Sequence, residues 1–245
     1  LAPGYGWTPM GESVMAGTSK DRVETPQLTL VRATLPLLEV EQAYLEACQR
    51  WADLREHLPL KDWPESELGQ ELRMLRSKFQ RLLGADDLAE DSWARIINAV
   101  TFEPWPQPLE DFDSRDLAML YLRSNPEWRW GMWYLLFKRP LSSYAKTLCI
   151  GTCGFKGPPS LEGSVEIGYW LMDRYQAVDL AAEAVGALVV HAFEDSRVQR
   201  VKAEASARHV PTIRVLGKNG FRRMGRGRAP DSLLFERDRE ATLGA

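Results

Sequence analysis

The sequence has few cysteines, no clustered histidines and no long apolar run, and each shortage removes a class of protein. Cysteine occurs only at Cys48, Cys149 and Cys153. The last two share a strand-like run, where four residues span about 13 Å, too far for a disulfide. A disulfide scaffold is therefore excluded, and a reducing, cytoplasmic setting is expected. The three histidines, His57, His191 and His209, fit no metal-ligand spacing, so no metal is expected. The most apolar stretch, around Val185 to Phe193, is interrupted by His191 and is far shorter than the roughly 20 residues of a bilayer span. Charge of one sign is lacking too: 31 Lys+Arg stand against 34 Asp+Glu, a net charge of −3. Nothing global draws such a chain onto nucleic acid or an anionic membrane, and neither partner is expected. Residues 1–24 have no basic segment leading into an apolar one, so they do not read as a signal peptide. They read as a disordered tail or a remnant foreign to the protein.

What the chain does have is enough apolar material, 44% of 245 residues, for one full core. Gln27 to Ala33 alternates as a first strand. Glu39 to Leu58 places Tyr44, Ala47, Cys48, Trp51, Leu54 and Leu58 on one helical face, and Ser66 to Leu83 does the same with Leu68, Leu72, Leu75, Phe79 and Leu82, with Gly84 placed to stop it. A third helix is expected near Ser114 to Arg123, closed by Asn125-Pro126. Trp128 to Lys138, Thr147 to Phe155 and Val165 to Met172 are aromatic and β-branched runs parted by turns. They read as a three-strand meander and become strands two to four. From Ala181 the apolar residues Ala184, Val185, Leu188, Val189, Ala192 and Phe193 follow an amphipathic helix. Arg200 to Ala205 is expected as strand five, Thr212 to Lys218 as a short helix stopped by Asn219-Gly220, and Leu233 to Arg237 as a last strand. No repeat and no second-domain linker is seen.

Five segments, CIGTCGFKGPP, GSVEIGYWL, AAEAVGALVVHAF, VKAEA and PTIRVLGKNGFRRMG, stand in an order and spacing that resembles the GCN5-related N-acetyltransferases (GNAT). The resemblance is to the branch holding the ribosomal-protein N-terminal alanine acetyltransferases, and it covers about residues 128 to 237. It implies an α/β (α+β) fold: a mixed, mostly antiparallel sheet, flanked by helices and splayed between strands four and five. Residues 25–240 would then be one domain with a helical insertion at about 40–125. Acetyl-CoA would lie in the splay as co-substrate, without a metal.

The resemblance assigns roles to particular positions. Tyr169, Trp170 and Leu171 would offer unpaired backbone groups, on which the pantetheine amides pair like an added strand and near which an oxyanion meets N–H donors. Gln176, Ala177, Val178, Asp179, Leu180 and Ala181 would form the phosphate loop at a helix N-terminus, where free N–H groups and the helix dipole favour anions. Glu166 and Glu204 are the candidate bases that strip the acceptor ammonium. Thr212 is a candidate proton donor, and His209 stands where the family has an asparagine that faces the cofactor.

Three positions, Asp179, His209 and Leu216, depart from the family pattern. Asp179 replaces a loop glycine and adds negative charge where phosphates would sit; it reads either as weakening acetyl-CoA binding or as an N-cap for its helix. Thr212 likewise reads as donor or N-cap. Leu216 occupies the position of a tyrosine used as proton donor by relatives. The cluster Arg222, Arg223, Arg226 and Arg228 reads as solvated surface. Trp128, Trp130, Trp133 and Tyr134 read as core and cleft wall. The expected function is acetyl transfer to a primary amine, either a small molecule or a peptide N-terminus. The alternative is a catalytically degenerate binding or regulatory protein on the same fold. A homodimer stays open.

Overall fold

The computed structural model describes residues 18–19, 21–54, 66–83, 114–138, 148–176 and 179–239. The strands are β1 (Thr18–Ser19), β2 (Arg22–Glu24), β3 (Leu28–Arg32), β4 (Met132–Phe137), β5 (Leu148–Phe155), β6 (Ser164–Leu171), β7 (Arg200–Ser206), β8 (Arg222–Arg226) and β9 (Ser232–Asp238). They form one sheet in the order β1-β2-β3-β4-β5-β6-β7-β9-β8. All neighbours pair antiparallel except β6 and β7, which are parallel. The helices are α1 (Leu35–Leu54), α2 (Glu67–Leu83) and α3 (Ser114–Ser124), all between β3 and β4, then α4 (Asp173–Gln176), α5 (Leu180–Phe193) and α6 (Val210–Lys218).

Alternation along each strand sends side chains to two cores. On one face Leu28, Leu30, Trp133, Leu135, Ile167 and Val201 pack with the buried stripe of α5 and with Leu216 of α6. On the other, Val31, Tyr134 and Leu136 meet Leu37, Leu38 and Val40 of α1 and Phe79 of α2. Glu41 is buried on this second side and accepts the Tyr134 hydroxyl at 2.9 Å; Arg32, also buried but on the face of Leu28 and Leu30, pairs with Asp21 at 2.6 Å. Ser66 starts α2 by accepting the Gly69 N–H at 3.1 Å. Along α2, Leu72 and Phe79 are buried as its stripe predicts, but Leu82 is exposed and Leu83 takes its place in the core. The expected contributions of Cys48, Trp51, Leu54, Leu58 and Gly84 lie outside the described residues or side chains.

Three differences from the sequence reading have physical causes. Residues 18–19 and 22–24, assigned to the tail, add β1 and β2 to the sheet, with Val23 facing Leu30 and Glu24 facing Thr29. Such short strands carry no periodicity. Glu24 is held by Lys138 at 2.6 Å, Arg22 at 2.8 Å and Thr29 at 2.8 Å. Burial alone would raise its pKa, but these partners lower it to about 2. The Arg222–Arg226 stretch is mostly exposed, as solvated surface should be, but it also forms an edge strand on β9 that no alternation marks. Cys149 and Cys153 are both free and buried, and a register shift opposite Leu135 and Leu136 sends them to opposite cores. Burial pushes both thiols up.

Candidate active site at the splayed strands

β6 and β7 pair from Ser164↔Arg200 to Ile167↔Ala203, and no further. Beyond that point Gly168 to Leu171 keep only their β5 partners, and Glu204 to Ser206 keep only β9. Parallel strands that separate this way leave an unpaired backbone edge on β6. The edge includes Tyr169, Trp170 and Leu171. Leu171 is buried, whereas Tyr169 and Trp170 are partly buried against the α5-side core.

On the α5 and α6 side, the phosphate-loop candidates are partly in place. Gln176 donates its amide to the Leu171 carbonyl at 2.9 Å and so fastens the chain that leaves β6. Leu180 and Ala181 are buried in the core, so only their backbone N–H groups are available to a ligand. Ala177 and Val178 lie outside the described residues. Asp179 stands at the N-cap position, but its side chain makes no capping hydrogen bond. The N-cap reading is thereby corrected: the carboxylate instead meets Lys218 Nζ at 2.5 Å. A lysine at the end of α6 competes successfully for it and cancels its charge.

His209, not Thr212, caps α6. Thr212 sits in the first turn, its N–H donating to His209 Nδ1 at 3.4 Å, with Oγ1 at 2.7 Å from the same nitrogen. The Tyr169 hydroxyl is buried without a hydrogen-bond partner. Burial lifts its pKa to about 12, with the Thr212 side chain pulling the other way. Leu216 is fully buried and offers no proton.

On the other face, Glu166 and Glu204 do converge, and one cation joins them. Arg228 Nη2 lies 2.6 and 2.5 Å from the two Glu166 oxygens. Its Nε donates to Glu204 Oε1 at 2.9 Å, and its backbone N–H donates to Glu204 Oε2 at 3.0 Å. Lys156 adds a 2.9 Å pair to Glu166, and the Ser232 hydroxyl donates to Glu204 at 3.0 Å. Burial would raise the Glu204 pKa; the Arg228 N–H, Ser232 and the Arg228 charge outweigh it and hold the carboxyl below its ordinary value. Arg228 is thus part of the site, not merely of a solvated patch. The sequence reading grouped it with its neighbours because the Glu204 contact spans 24 residues and the Glu166 contact 62. A similar separation, 28 residues, hid the Ser232 contact with Glu204. A cavity of about 800 Å³ opens beside this cluster, with Tyr121, Trp128, Trp130 and Phe155 on its apolar side. Tyr121 and Trp128 stack with ring centroids 4.5 Å apart and planes 7° apart.

Among known families, the acetyltransferase (GNAT) domain model matches residues 79–222, more than half of the chain. The chain belongs to the GNAT family. The uncharacterised N-acetyltransferase p20 of Bacillus licheniformis is 31% identical over 94 residues, which cover 35% of this chain and 53% of that protein. The match thus spans about half the length of this curated relative. Solved structures similar to this GNAT chain include the microcin self-immunity acetyltransferase in complex with acetyl-CoA and AMP (12% identity, 87% of this chain and 93% of that one, TM-score 0.46). A GNAT-family acetyltransferase from Bacillus anthracis is also similar (12%, 89% and 98%, TM-score 0.45), as is a ribosomal-protein alpha-N-acetyltransferase (14%, 87% and 91%, TM-score 0.44). Among the described residues no group of His, Cys, Asp or Glu could hold a metal, and no helix is long and apolar enough to cross a membrane.

Proposed function

We propose that this GNAT chain transfers an acetyl group from acetyl-CoA to the primary amine of a small molecule or a peptide N-terminus, in the cytoplasm. The observation that carries the reading is the separation of β6 from β7 after Ile167 and Ala203. It leaves backbone donors and acceptors that an amide-bearing arm can pair with. Tyr169, Trp170 and Leu171 would hold that arm, and the N–H groups opening α5 would take the phosphates, with Lys218 neutralising Asp179. The buried Tyr169 hydroxyl, whose neighbour is the Thr212 side chain, fits a site that gains a polar ligand. Acetyl-CoA supplies the activated thioester. The protein supplies orientation and proton handling. Glu166 and Glu204 are the candidate bases; both are held by Arg228, Glu166 also by Lys156 and Glu204 also by Ser232. On the α6 side, Thr212, backed by His209, and Tyr169 are the available proton donors.

A degenerate binding protein is the competing reading, favoured by both glutamates being engaged by Arg228. Release of free thiol from acetyl-CoA, measured over a panel of amines and peptides, separates the two. Turnover that falls about 100-fold or more in Glu166→Gln, with coenzyme A binding retained, supports the enzyme. Coenzyme A binding without turnover on any amine supports the binder.

A further inference from the structure

Two carboxylates that share one recess repel each other unless a cation sits between them. Here the recess belongs to Glu166 and Glu204, whose side chains are 19% and 14% exposed, whereas the cation that joins them, Arg228, is 71% exposed. The acids form the floor and the guanidinium covers them from the solvent side. Ion pairs with so exposed a member are weak and are readily exchanged for another cation. The cover also rides on the turn between β8, an edge strand, and β9. That turn comes down on Glu204 only because Gly227 has no side chain: a Cβ there would collide with Ser232 Oγ and the Glu204 carboxylate.

We infer that Arg228 is an internal stand-in for the acceptor, and that the recess under it is a cation subsite selecting acceptors with a second positive group beside the amine. The inference rests on the acetyltransferase reading above and names its substrate class. Arg228, Glu204 and the aromatic wall of Tyr121, Trp128 and Trp130 border the same cavity. A cation leaving water for this cavity meets Glu204 on one side and aromatic faces on the other, both of which favour it, and Lys156 on the same lining is held by Glu166. The protein already uses one of these rings in this way: Arg129 lies over Trp130, 5.2 Å from its centroid. A guanidinium satisfies the recess as Arg228 does, with Nε to one carboxylate and Nη2 to the other. An acceptor carrying a guanidinium or a second ammonium would displace Arg228 and take over its contacts with the two carboxylates. A neutral acceptor has nothing to offer in exchange.

The test is calorimetric titration of arginine amide into the wild type, Arg228→Ala, Arg228→Gln and the double variant Arg228→Ala/Glu166→Gln. Coenzyme A titrations and thermal melts accompany each. The expected result is one-to-one binding at least tenfold tighter in Arg228→Ala and Arg228→Gln than in the wild type, with that gain lost in the double variant. Coenzyme A affinity should be unchanged by the Arg228 substitutions. If either folded Arg228 variant binds arginine amide no tighter than the wild type, the subsite is overturned. Arg228→Gln keeps the turn's length and polarity should the alanine variant fail to fold. Absence of coenzyme A binding in every protein would count against the acetyltransferase reading, whereas the arginine amide result bears on the subsite alone.

Discussion

The two faces of the sheet meet at the same split, yet they are held by different forces. On the α5 side, the split is lined by apolar packing and backbone: Leu171, Leu180, Ala181 and Leu216 are all buried, and the features offered to a ligand are main-chain groups. On the α3 side it is lined by charge, with Glu166, Glu204, Lys156 and Arg228 in one network. Apolar burial gives strength without direction, while ion pairs give direction at little net strength. The first face is therefore suited to an invariant co-substrate, and the second to selecting an acceptor.

The largest contrast should come from aromatic truncation. Trp133 is fully buried on the α5 side and Tyr121 is 41% exposed on the other. Trp133→Ala should cost about 3–5 kcal/mol in urea unfolding, and Tyr121→Ala less than about 1 kcal/mol. Comparable losses would break the comparison.

Acid should strike the α5 side next. His191 is buried against Trp133, with ring centroids 4.8 Å apart. Arg129 Nη2 lies 3.2 Å from its Nε2, and Glu194 lies 3.1 Å from its Nδ1. Burial first, then Arg129 and Arg32, lowers its pKa from 6.5 to about 4. Between these values the unfolded chain binds a proton that the folded one refuses, so stability falls as pH drops from 6.5 towards 4, by about 3 kcal/mol in all. Urea midpoints measured across that range should show this slope, and His191→Asn should flatten it. An unchanged slope in the variant would remove His191 from the account.

Gly227→Ala sharpens the comparison from the charged side. The new methyl forces the β8–β9 turn off Glu204, which should cost about 1–3 kcal/mol. Smallest in stability is Asp179→Gly. It breaks an ion pair whose members are 77% and 43% exposed, so the melting temperature should barely move, by less than about 1 kcal/mol equivalent. Coenzyme A affinity should rise once Lys218 is released from the carboxylate; equal, tight affinities in the two proteins would refute any electrostatic penalty at this position.

The same contrast explains what could be seen in the sequence. The α5 helix was legible to within a residue because its apolar positions repeat at helical spacing, and α6 ended where Asn219-Gly220 said it would: Gly220 takes φ +74° and the Phe221 N–H returns to the Leu216 carbonyl at 3.1 Å. Strands β3 to β7 and β9 were legible from alternation and β-branched content. The glutamates were found from motif position, but not what holds them. Arg228 looks like its neighbours Arg222, Arg223 and Arg226 in sequence; only the fold brings it to Glu166 and Glu204. The N-caps failed for a related reason. Asp179 and Thr212 have capping chemistry, but Lys218 and His209, distant or unexpected partners, took the relevant contacts. Helix caps and ion pairs are decided by competition in space, which local pattern does not contain.

The central claim is that the split between β6 and β7 is a working acetyl-CoA site despite Asp179. Calorimetric titration of the purified protein with acetyl-CoA, and with coenzyme A alone, tests it most directly. Saturable one-to-one binding of both ligands is the predicted result. No binding heat up to millimolar ligand would contradict it, and would leave the split as a relic of the family fold.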